Sequence, residues 1–265
     1  MENGKEIRTL KYPCNTCYSI SKGWLHWIKP IALTPDGKRA ISELPKILKV
    51  LDLESGSVIK TLKYQASRII TIAVTPDGKR AVLGSLDDTM WVWDLKSDKE
   101  IRMLKGHSGS VSAIAITPDG KRAVSGSDGM DIRIWDLESG IEIRMLKGHS
   151  DPILAIAITP DGKRAISGSD GMDIRIWDLE SGKEIGILRG HAGPVIALAI
   201  ASDGKRAISG SIDKTLNVWD LVSKKRITTF SGDAPFTVCA FFSNDRAVIA
   251  GDRFGNIHFL YIVGI

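Results

Sequence analysis

Residues 153–188 read ILAIAITPDGKRAISGSDGMDIRIWDLESGKEIGIL. The first seven are almost unbroken apolar, as expected of a strand buried on both faces. Thr159-Pro160-Asp161-Gly162 is a tight turn: Pro presets φ, Asp fits the second central position, and Gly tolerates the conformation after it. KRAISGS (163–169) reads as a second strand, DIRIWDL (173–179) as a third with alternating polarity, and KEIGIL (183–188) as a fourth, separated by Ser-Asp-Gly and Glu-Ser-Gly turns. No helical period of useful length is present.

This unit recurs. PDGKRA stands at 35–40, 76–81, 118–123 and 160–165, SDGKRA at 202–207, and a worn SNDRA at 243–247. Trp-Asp keeps the same beat at 93–94, 135–136, 177–178 and 219–220, and Gly-His at 106–107, 148–149 and 190–191. The run Gly126–Leu137 is repeated unchanged at Gly168–Leu179. A lone four-stranded sheet cannot bury both faces. Sheets stacked around an axis cover one another and leave only short edges.

The expected fold is therefore all-β: a six-bladed β-propeller of four-stranded antiparallel sheets in one domain, residues 1–265. The repeats lie near 24–62, 65–104, 107–146, 149–188, 191–230 and 233–265. GKEIRTL (4–10) matches GKEIGIL (182–188), while GNIHFLY (255–261) reads as a third strand with no fourth after it. Residues 5–10 are expected to complete blade six, since an open blade would present an unpaired edge. A fragment of a longer propeller would show the same complementary ends, so that alternative stays open.

Four-stranded units near 42 residues with Gly-His and Trp-Asp marks resemble the WD-repeat β-propeller family. The resemblance implies a buried hydrogen-bond chain of His, Ser, Asp and Trp within a blade. In repeat five it falls on His191, Ser209, Asp213 and Trp219. In repeats three and four it falls on His107, Ser125 and Trp135, and on His149, Ser167 and Trp177. Gly129 and Gly171 occupy the Asp position there, with Asp128, Asp131, Asp170 and Asp173 nearby. Gln65 and Leu83 replace His and Ser in repeat two. Trp24 and Leu51 stand for His and Trp in repeat one, and Asp233 and Leu260 do so in repeat six. A Ser, a His and an Asp invite a catalytic reading, but a set that recurs on a fixed beat points to structure rather than to one active site.

Lys plus Arg is 36 and Asp plus Glu is 31, a net charge of +5, and no basic cluster marks a dedicated nucleic-acid binder. Apolar runs are too short for a membrane helix. The start lacks a signal-like apolar core, and three cysteines make no disulfide framework, so a cytoplasmic, monomeric protein is expected. Cys14 and Cys17 form a lone C-x-x-C. His26 could add a third ligand but no fourth is evident, so no metal and no cofactor are expected. Hydrolytic and nucleotide-binding motifs are absent from the sequence.

The a–b turns carry Asp-Gly-Lys-Arg and the c–d turns Asp-Leu-Glu-Ser-Gly, so one rim should be solvated and mixed in charge. The opposite face, built by d–a and b–c loops, carries Ser108, Asp128, Met130, Asp151, Asp170, Met172, Ile212 and Arg253 as candidate partner-binding residues. Met130 and Met172 suit either an adaptable contact or simple cover over the blade edge.

The expected function is a non-catalytic scaffold or ligand-sensing propeller that binds an unidentified protein or peptide. The segment 231–262 also resembles the terminal WD blade of prokaryotic STAND-type signalling proteins, which implies a sensor preceded by a nucleotide-hydrolysing switch. The rival readings are a remnant of such a protein and a nucleic-acid-binding propeller, the latter hinted at only by Trp24 and Trp27 near Lys22 and Lys29.

Overall fold

The computed structural model describes residues 31–44, 47–64, 67–97, 99–242 and 245–262. Its elements are strands, with no helix among the described residues. They form six antiparallel sheets, five of four strands and a last one of three, each with strands a to d in chain order. Blade four shows the plan: Ile153–Ile158, Arg164–Ser169, Ile174–Asp178 and Glu184–Leu188, each within a residue or two of the strand read from sequence. The a strands of successive sheets touch, which places them innermost. The chain is a six-bladed propeller.

Alternation in the b and c strands sets the core. One face of blade three (Val124, Ile132, Ile134, Leu146) packs against Ile153, Ala165, Trp177 and Leu179 of blade four. The same positions meet between blades two and three and between blades four and five. Trp135, Trp177 and Trp219 thus pack their rings on the preceding blade and bond their indole N–H within their own. Gly126 and Gly168 lie where a Cβ would strike Ile153 and Val195 of the next blade, so the sheets approach closely there.

At the two ends the corresponding positions are bare. Ile31 and Leu33 on the first a strand are 63% and 60% exposed, and Ile257 and Phe259 on the last c strand are 64% and 62% exposed. Beside that last strand runs an apolar groove of about 590 Å³, walled by Val218 and Phe230 of blade five and by Val248, Leu260 and Ile262 of blade six. The segment 5–10, read as blade six's fourth strand, lies outside the described residues, as do Cys14, Cys17, Trp24, His26 and Trp27.

Candidate functional site

The loop before the a strand and the b–c turn of blades two to six are tied together by one backbone bond in each blade. Leu86 N donates to Arg68 O, Asp128 N to Ser110 O, Asp170 N to Pro152 O, Ile212 N to Pro194 O and Arg253 N to Pro235 O, at 2.9–3.0 Å. These bonds hold Ser108, Asp128, Met130, Asp151, Asp170, Met172, Ile212 and Arg253 on one face. Glycines permit the tight approach: a Cβ on Gly109 would meet Gly129 N at 2.5 Å.

Beneath that face sit the polar chains. In blade five His191 Nε2 is 2.7 Å from Ser209 Oγ, which also accepts from Trp219 Nε1 at 2.7 Å. His191 Nδ1 is 2.8 Å from Asp213 Oδ2, and Asp213 further accepts from Ala192 N at 2.8 Å and Thr215 Oγ1 at 2.7 Å. In blade three His107 Nε2 lies 2.6 Å from Ser125 Oγ, with Trp135 Nε1 donating to the same oxygen at 2.8 Å. Blade four repeats this with His149, Ser167 and Trp177 at 2.7 and 2.8 Å.

The carboxylate in blades three and four comes from an unexpected position. Gly129 and Gly171 cannot supply it, and Asp131 Oδ1 instead stands 2.8 Å from His107 Nδ1. Asp173 Oδ1 stands 3.4 Å from His149 Nδ1. Asp131 also accepts from Ser127 Oγ and, at 2.6 Å, from Arg133 Nε; Arg133 in turn pairs with Glu142. The polar chain of blade three thus runs on from the aspartate to an arginine and a glutamate. The 24-residue His–Asp separation hid it from a reading tuned to the 22 residues of blade five.

Burial fixes the charge states. Desolvation pushes the pKa of His107 and His191 down and that of His149 down to about 4, so the imidazoles are neutral at pH 7. Burial alone would raise the Asp131 carboxyl, but donors from Ser127, His107 and Arg133 override it and hold it below the usual range. Neutral His then donates from Nδ1 to Asp and accepts at Nε2 from the serine hydroxyl. This resembles a hydrolase triad in connectivity only. Ser125, Ser167 and Ser209 are at most 1% exposed, and each oxygen already accepts from an indole.

The other blades depart from the pattern. In blade two Leu83 stands for Ser, and Trp93 Nε1 is buried without a partner. Blade one buries Glu43 against Tyr64 Oη at 2.8 Å. In blade six, sequence reading missed a separate pair, His258 Nε2 and Asp252 Oδ2 at 2.9 Å. The His258 hydrogen bond, helped by Asn256 and the Phe254 backbone, lowers Asp252 to about 2. Cys239 is buried, which raises its thiol to about 12 and leaves it unreactive at neutral pH. Among the described residues no group of His, Cys, Asp or Glu is arranged to hold a metal ion, and no helix is long and apolar enough to cross a membrane.

Comparison with known families agrees with this architecture. Residues 56–94, 98–136 and 140–178 match the WD domain, G-beta repeat, each match running from a d strand to the Trp-Asp of the next blade. Residues 191–261 match the TEP-1 C-terminal beta-propeller. The matches and the six sheets together make the chain a WD-repeat β-propeller. A comparison with curated proteins gives no match.

Proposed function

We propose that the chain is a non-catalytic interaction module whose d–a and b–c loop face binds a protein or peptide. WD-repeat propellers are generally interaction scaffolds, and the buried serines leave the polar chains no route to a substrate. The observation that carries the reading is the pair Met130 and Met172. Both are 45% exposed, and both hold positive φ, 68° and 70°, at the tips of adjacent b–c turns. The equivalent turns of blades two and five hold Asp88 and Lys214 at φ 66° and 67°, so the backbone is shared, and what blades three and four add is a large, soft, exposed side chain that suits contact with a partner.

In the same reading, residues 5–10 form the fourth strand of blade six. The groove beside the last c strand and the bare faces of Ile31, Leu33, Ile257 and Phe259 support it, because interior blade boundaries bury the counterparts of Ile257 and Phe259 and half-bury those of Ile31 and Leu33. The resemblance of residues 231–262 to STAND-type sensors supports a sensing role for the module.

The test is capture by the intact chain with a cross-linker. A specific partner should be retained by the parent protein, lost by Met130→Gly/Met172→Gly, and retained by a variant altered only at Lys79, Lys121 and Lys163 on the opposite face. Loss on the opposite face alone would overturn the assignment.

A further inference from the structure

On the face opposite the loops, every residue of the Thr-Pro-Asp-Gly-Lys-Arg turn has structural employment except one. Thr34, Thr75, Thr117 and Thr159 donate from Oγ1 to Asp36, Asp77, Asp119 and Asp161 at 2.5–2.6 Å. The same carboxylates accept the lysine backbone N–H at 3.0 Å. Successive turns stack on one another: a Cβ on Gly78, Gly120, Gly162 or Gly204 would lie 3.3–3.6 Å from the proline of the preceding blade's turn. The arginines reach forward. Arg80 binds Leu137 O and Glu138, Arg122 and Arg164 bind Gly162 O and Gly204 O, and Arg206 binds Asp245 O.

The lysine side chains do none of this. Lys38, Lys79, Lys121, Lys163 and Lys205 are all exposed. Among the described residues only Lys79 comes within 4 Å of a carboxylate, Asp77 at 3.7 Å, while Lys38, Lys121, Lys163 and Lys205 act on nearby aspartates from a greater distance. Because a strands are innermost, the a–b turns lie close to the axis, and the stacking joins those of blades one to five into a continuous arc with one lysine in each. The aspartates on this rim turn their oxygens toward Thr hydroxyls and backbone N–H groups. Glu138 and Glu180, on the outer c–d turns, draw Arg80 and Arg122 outward. Blade one has lost its Trp and its His yet carries Lys38.

We propose that this lysine rim binds a compact, multiply phosphorylated anion free in solution. An arc of five ammonium groups about an axis matches a small solute of high charge density, because Lys acts on phosphate as a point charge without demanding planar geometry. The turns carry no aromatic or large aliphatic side chain, so they offer neither base stacking for a nucleic acid nor an apolar wedge for a bilayer.

The test uses inorganic tripolyphosphate as probe, in calorimetric titration of the intact chain. Binding should saturate near one per chain and weaken as salt rises through about 0.15 M. Lys79→Gln/Lys121→Gln/Lys163→Gln should weaken it by about tenfold or more. A variant with the same charge change on the loop side, Lys105→Gln/Lys147→Gln/Arg189→Gln, should bind like the parent. Unchanged melting temperatures establish that both variants are folded. The proposal is overturned by no saturable binding, by equal weakening in both variants, or by tighter binding to an oligoglutamate peptide or to vesicles bearing phosphoinositides.

Discussion

Asp131 reaches His107 Nδ1 at 2.8 Å from a place two residues farther along the chain than the one from which Asp213 reaches His191. The turn tip and the entry to the c strand bring a carboxylate to the same ring nitrogen. Asp131→Ala should therefore cost about 1–3 kcal/mol by leaving His107 Nδ1 and Arg133 Nε buried without an acceptor. Asp173→Ala should cost less, since Asp173 stands at 3.4 Å from its histidine. Chemical denaturation of the two variants gives the order directly. Equal losses would show that the longer contact works as well as the shorter.

Leu83 stands where the orphan indole of Trp93 would otherwise find its serine. Replacing this buried leucine by alanine loses apolar packing, about 2–5 kcal/mol. Leu83→Ser loses the same packing but offers Trp93 Nε1 an oxygen at the position that Ser125, Ser167 and Ser209 occupy elsewhere. The serine variant should be more stable than the alanine variant by about 1 kcal/mol. A serine variant no better than alanine would mean that the hydroxyl does not reach the indole.

Acid should loosen the protein through its buried histidines. His149 ionises at about 4 in the fold against 6.5 when free, and His107 and His191 are shifted the same way. A base whose folded pKa is depressed contributes full stability above its unfolded pKa and loses it as pH falls toward the folded one. Stability should therefore decline between pH 6.5 and about 4, and His149→Gln should flatten part of that decline. Melting temperatures across this range read the effect, and an unchanged slope in the variant would exclude His149 as the source.

Met130→Gly and Met172→Gly remove a left-handed backbone penalty of about 1–2 kcal/mol and add some unfolded-chain freedom. Each should leave stability unchanged or raise it by up to about 1 kcal/mol, and the two together should abolish partner capture. A variant that melts markedly lower would assign the methionines to packing instead.

Deleting residues 1–10 should lower the melting temperature and promote self-association, because the groove beside the last c strand would stay open along an unpaired edge. Adding a synthetic GKEIRTL peptide should restore part of the loss. A deletion variant as stable and monomeric as the parent would remove this segment from blade six.

The propeller was legible because its marks are periodic: turn residues and tryptophans recur at fixed intervals, and alternation places Val124, Ile132 and Ile134 on one face. The polar chains were legible only where their spacing matched a known pattern. Asp131 stood among four nearby carboxylates but was not singled out, because sequence counts residues, whereas the histidine responds to distance, and two turns of different shape deliver an oxygen to one point. His258 and Asp252 escaped for a related reason: they replace positions held by Arg or Asn and by Ser in blades three to five, so no repetition flagged them. The exposed methionines were visible, but their left-handed backbone was not, since propensity would place glycine there.

Each rim arginine from Arg80 to Arg206 grips the blade after it, never the one before. The joints are therefore polar, like couplings on a train, with a hook at one side of every wedge and an eye at the other. A duplicated wedge arrives carrying both fittings, so the identical runs in blades three and four could enter the gene without any neighbour having to change.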